Sequence, residues 1–86
     1  MADTFLLEIV TPGRLFFAEQ VDEMTAPGSE GEFGVLAGHT PFLTSLKPGS
    51  CIYKKGTDTK RIVIGPGYAE VGLEKVTILT ESVSEE

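Results

Sequence analysis

SCIYKKGTDTKRIVI, residues 50–64, decides the fold. In an extended chain Cys51 and Tyr53 share one side, as do Ile62 and Ile64, the period-two pattern of half-buried strands. Between the two runs, Lys55-Gly56-Thr57-Asp58 reads as a tight turn in which glycine supplies a positive φ. The stretch therefore predicts a β-hairpin.

The same grammar extends outward in both directions. Phe5, Leu7 and Ile9 share one face of a run, and Val76, Ile78 and Thr80 share one face of another. A second hairpin is expected at Gly72-Leu73-Glu74-Lys75, joining YAEV to VTILT. Breaks at Pro12-Gly13, Pro27-Gly28, Gly38, Pro41, Pro48-Gly49 and Gly65-Pro66-Gly67 come too often for a helix of average length. Many short strands with turn residues between them predict an all-β antiparallel sandwich or flattened barrel. The sandwich is expected over residues 1–82, and the polar, acidic end, residues 83–86, is expected to fray.

At 86 residues the chain has room for one domain and a modest core. Hydrophobic residues are 41% and charged residues 23%, close to ordinary globular values, so neither a disordered chain nor a membrane protein is indicated. The acidic start is interrupted at Glu8 and reads as neither export signal nor anchor. A single cysteine, Cys51, closes no disulfide within the chain, and paired Cys/His spacings for a structural metal are missing. The net charge of -6 argues against nucleic acid, which needs a concentrated basic surface. That charge is uneven: residues 1–32 carry a net -6, residues 33–68 a net +4 and residues 69–86 a net -4. Such a surface can orient a protein partner.

The candidate chemistry is sparse. His39 is the only histidine, flanked by Gly38 and Thr40-Pro41, without a second metal ligand or a nucleophile at a known elbow. It is expected to shape a bend, with its imidazole bonded to backbone carbonyls or turned to a partner. Glu30 and Glu32 fall on one side of an extended segment, as an acid and base pair requires, but the glycines around them indicate a solvent-facing turn. Gly65-Pro66-Gly67 opens like a dinucleotide fingerprint and fails at position 70, which is Glu70. Lys54-Lys55 at a hairpin suggests a modified lysine of the lipoyl or biotinyl carrier type, although YKKGTD lacks the neighbours those carriers use. Phe16, Phe17, Phe33 and Phe42 are expected to be core, with Phe42 the one to face a partner.

GSEGEFGVLAGHTPFLTSLKPG, residues 28–49, closely resembles the signature region of the ε subunit family of F-type ATP synthases, related to the mitochondrial δ subunit. The marks are Gly28, Gly31, Phe33-Gly34-Val35-Leu36, Gly38-His39, Pro41, Leu43-Thr44, Leu46 and Pro48-Gly49. LLEIVTPGRLFF, GPGYAEV and VTILTESV follow in the family's order, so the resemblance covers nearly the whole chain. It implies a ten-stranded β-sandwich in the rotating stalk, seated between γ and the membrane c ring, without catalytic residues or a cofactor of its own. It further implies that Ser29, Glu30, Gly31 and Glu32 meet the ring, and that Thr11, His39, Thr40, Pro41, Phe42 and Thr44 meet γ. The place implied is the cytoplasmic face of a bacterial inner membrane, reached only through the complex, with the isolated chain a monomer. Two departures stand out. Ala37 replaces a proline common before the Gly-His pair, which loosens the unfolded chain at a cost of about 0.4–1 kcal/mol. The helical hairpin that follows the sandwich in most bacterial members, and that inhibits ATP hydrolysis, is absent from these 86 residues.

Overall fold

The computed structural model describes residues 4–85 and contains ten strands and no helix. They are β1 (Phe5–Thr11), β2 (Arg14–Val21), β3 (Glu23–Gly28), β4 (Gly31–Leu36) and β5 (Phe42–Leu46), then β6 (Gly49–Lys55), β7 (Asp58–Ile64), β8 (Gly67–Val71), β9 (Lys75–Thr80) and β10 (Val83–Glu85). Both expected hairpins form. Lys55 pairs with Asp58 across Gly56, whose φ is 63°, and Val71 pairs with Val76.

The strands follow the order β10-β7-β6-β3-β5-β8-β9-β1-β2, and β4 lies against the other edge of β3. The sheet folds over where β3 meets β5, at Gly28 opposite Leu46, so that β5-β8-β9-β1-β2 covers β4-β3-β6-β7-β10. All pairings are antiparallel except one. β1 and β9 run parallel, with Leu7 opposite Val76 and Ile9 opposite Ile78. Neighbours along the chain meet by turns, whereas these two lie almost the whole sequence apart and only the fold brings them together.

The core is built from the alternate positions the sequence marks. Phe5, Leu7, Ile9, Cys51, Tyr53, Ile62, Ile64, Val76 and Ile78 are all buried. At about 1.5–3 kcal/mol for each large apolar side chain fully removed from water, this burial is the main force holding the two layers together. Thr80 is the buried polar residue of the set. Its hydroxyl donates to the Gly65 carbonyl at 2.9 Å, with the Ser82 and Pro66 carbonyls at 3.2 and 3.3 Å, and so fastens the β7–β8 corner to the end of β9. At that corner Gly67 crosses β9 so closely that a β-carbon would come within 1.9 Å of the Leu79 carbonyl oxygen.

One expectation fails. Val83–Glu85 do not fray but pair with β7, Val83 opposite Ile64, while the Gly65 amide donates to the Ser82 carbonyl at 3.1 Å. Val83 also rests on the core, an anchor hidden by the polar residues around it. Glu86 lies outside the described residues.

Candidate partner-binding surface

Strand register sorts the turns into two ends. Val10, Leu79, Tyr68, Ser45 and, one step on, Gly28 lie in mutual register, so the turns at 12–13, 29–30, 47–48, 65–66 and 81–82 gather at one end. Phe5, Val21, Lys75, Val71 and Phe42 mark the other, which carries the 37–41 corner and the 56–57 and 72–74 turns.

Ser29, Glu30, Gly31 and Glu32 are all exposed at the first end, in the turn from β3 to β4. Both carboxylates therefore face water. The Ser29 amide donates to the Ser45 carbonyl at 3.0 Å, and the Ser45 hydroxyl donates to Ser29 Oγ at 2.7 Å.

The residues expected to meet γ are not brought together as one patch. Thr11 ends β1 at the same end as the Ser29–Glu32 turn. His39 sits at the other end, its ring edge-on to Phe5 with centroids 5.6 Å apart, roughly 20 Å from Thr11 along β1. Neither nitrogen of His39 bonds a carbonyl: both are buried without a hydrogen-bond partner among the described residues. Thr40 and Pro41 are exposed beside it. Phe42 is exposed and meets Phe33 edge-on at 5.4 Å. Thr44 is half-buried and shares the inward side of β5 with Leu46, which leaves Leu43 pointing out, 70% exposed.

What joins the two ends is the outer face of β5-β8-β9-β1-β2, which sequence reasoning left unassigned. Ser45, Tyr68, Leu79, Val10 and Leu15 form one cross-strand row. Four of the five are apolar or aromatic, and Tyr68, Leu79 and Leu15 are exposed. A register shift between Ile9 and Val10 sets Leu15 opposite Val10 and lets Phe17 turn inward onto Tyr53, at 5.3 Å. The next row holds Leu43, Glu70, Thr77, Glu8 and Ala18, with Glu8 bound by Lys75 at 3.4 Å and by the Thr77 hydroxyl at 3.4 Å. An apolar row beside a polar one is the anatomy of a protein contact surface. The signal was present in the sequence: Val10 and Leu79 are apolar at positions where strict alternation calls for polar residues.

Elsewhere the chemistry is structural. Burial pushes the Cys51 thiol up to about 12, which keeps it protonated and unreactive. Burial, then the charge of Glu19, raises the Tyr53 phenol. Lys54 and Lys55 form exposed ion pairs with Glu23 at 3.5 Å and Glu19 at 3.3 Å. Gly65-Pro66-Gly67 leads into β8, a strand, so it offers no helix N-terminus to a phosphate. No group of three metal-ligating side chains converges among the described residues.

Residues 4–86 match the family described as the ATP synthase, Delta/Epsilon chain, beta-sandwich domain. The chain belongs to this family. Among Delta/Epsilon relatives it is 52% identical over 81 residues to the ATP synthase epsilon chain of Maridesulfovibrio salexigens, covering 94% of this chain and 57% of that protein. To the ATP synthase epsilon chain of Desulfatibacillum aliphaticivorans it is 54% identical over 83 residues, 95% of this chain and 59% of the relative. It thus spans about three-fifths of the length of these Delta/Epsilon chains. A chain in the Euglena gracilis mitochondrial ATP synthase, solved as OSCP/F1/c-ring, superposes with a TM-score of 0.91 at 28% identity, covering 99% of this chain and 55% of that one. A chain of the Tetrahymena thermophila central stalk and c ring shares the fold with a TM-score of 0.80 at 15% identity, over 94% of this chain and 66% of its own. Membership in the Delta/Epsilon family does not favour the modified-lysine carrier reading of Lys54-Lys55.

Proposed function

We propose that this chain is a non-catalytic part of the rotor of an F-type ATP synthase, joining γ to the c ring at the cytoplasmic face of a bacterial inner membrane. The observation that carries the reading is identity above half, over nearly the whole chain, to bacterial proteins named ATP synthase epsilon chain. The geometry supports it. Two closely packed layers of paired strands resist shear, which is what a part passing torque requires.

The exposed Ser29-Glu30-Gly31-Glu32 turn is the ring contact, with Glu32 its principal charge. The γ contact runs down the outer face from Thr11, across the apolar row and Leu43, to His39, Thr40, Pro41 and Phe42. Thr44 faces inward and supports Leu43 from behind. His39 suits this role because its ring, packed edge-on against Phe5, braces the corner that presents the exposed Thr40, Pro41 and Phe42. Complexes reconstituted with Glu32→Lys test the ring contact. Reversing an interface charge disturbs complementarity, so ATP-driven proton pumping falls while ATP hydrolysis persists. Pumping equal to that of the parent would refute the assignment.

A further inference from the structure

We propose that Ser45 is a positioning residue that fixes the angle of the Ser29–Glu32 turn against the apolar outer face. This rests on the reading above in so far as the turn meets the ring. Ser45 is not among the residues the sequence singles out, and it touches none of the core chemistry.

Three hydrogen bonds tie the end of β3 to β5. The Lys47 amide donates to the Pro27 carbonyl at 3.0 Å, the Ser29 amide donates to the Ser45 carbonyl at 3.0 Å, and the Ser45 hydroxyl donates to Ser29 Oγ at 2.7 Å. Ser29 is therefore the last rung of the ladder, and Glu30 projects beyond it into solvent. The first two bonds are backbone bonds, which any sequence could form. The third depends on the two side-chain hydroxyls.

The strand that supplies the hydroxyl also carries the docking face. Ser45 stands opposite Tyr68, which stands opposite Leu79, then Val10 and Leu15. Rotating the turn away from β5 would break the Ser45–Ser29 bond before disturbing any buried residue, since both serines are exposed. The hydroxyl pair thus sets how the acidic turn is aimed relative to the face that grips the shaft.

The test pairs Ser45→Ala with Ser45→Thr, which keeps a hydroxyl and suits a strand. In the 86-residue chain, amide exchange at Ser29 should quicken about fivefold in Ser45→Ala, as loss of one modest hydrogen bond dictates, and remain at the parent rate in Ser45→Thr. In reconstituted complexes, protons pumped per ATP should fall in Ser45→Ala and recover in Ser45→Thr, while the melting temperature of the Ser45→Ala chain falls by only the few degrees that one such bond is worth in a domain of this size. Ser29→Ala removes the same bond from its other side, and combining it with Ser45→Ala should add nothing further to the exchange rate. Unchanged exchange in Ser45→Ala, equal effects of Ala and Thr, or faster exchange with full pumping would each overturn the proposal. Full pumping by Glu32→Lys would instead refute the ring contact, while the exchange measurement would still judge the clasp.

Discussion

Leu15 and Leu79 are the residues through which the outer face can be tested most cleanly, because they lie in one cross-strand row and outside the buried core. They are 53% and 42% exposed. Complete burial of a leucine is worth about 1.5–3 kcal/mol, so covering their exposed fractions offers together about 1.4–2.9 kcal/mol, or about tenfold to a hundredfold in affinity. Part of that is spent on ordering the interface, which places the expected loss near the lower figure. Threonine at both positions removes most of the apolar area while keeping a strand-forming, β-branched shape. Titration calorimetry of γ with Leu15→Thr plus Leu79→Thr should show about a tenfold weaker complex and a less negative heat-capacity change, with the melting temperature of the free chain lowered by several degrees, since about half of each leucine is already buried. A loss below threefold with the fold intact would show that γ does not cover this row. A fall in melting temperature that accounts for the whole affinity change would show that the leucines act within the chain and not at a contact.

Two further outcomes concern the fold. Gly67→Ala should destabilise the chain by about 3 kcal/mol or more, because its β-carbon would meet backbone and not a movable side chain; a thermal midpoint within two or three degrees of the parent would refute the close approach. Cys51 should resist thiol reagents at pH 8 until denaturant is added. The native thiol holds its proton up to about pH 12, while the unfolded one releases it from about pH 9, so the unfolded state binds fewer protons in that window and stability falls as pH rises through it. Cys51→Ala should flatten this part of the stability profile measured by urea unfolding, and an unchanged slope would count against the burial of the thiol.

The hairpin at Gly56 and the inward residues of β1, β6, β7 and β9 were legible because a strand's two faces are written locally, two residues at a time. The glycines around Glu30 and Glu32 likewise marked a solvent-facing turn, and residues 29–32 are exposed. Val83 was missed because one half-buried valine among serines and glutamates makes no period. Thr11 was grouped with His39, yet the two stand at opposite ends of β1, since a list of residues carries no register.

Local pattern and residue order were thus enough to specify an all-β chain, its turns, most of its core and its family. Register between distant strands was left to the tertiary structure. The parallel pairing of β1 with β9 aligns Val10 with Leu79, and the closure of β3 on β5 brings Ser45 to Ser29. The reason is physical: alternation along a strand depends on the geometry of neighbouring peptide units, whereas the partner opposite each residue depends on how the whole sheet closes around its core.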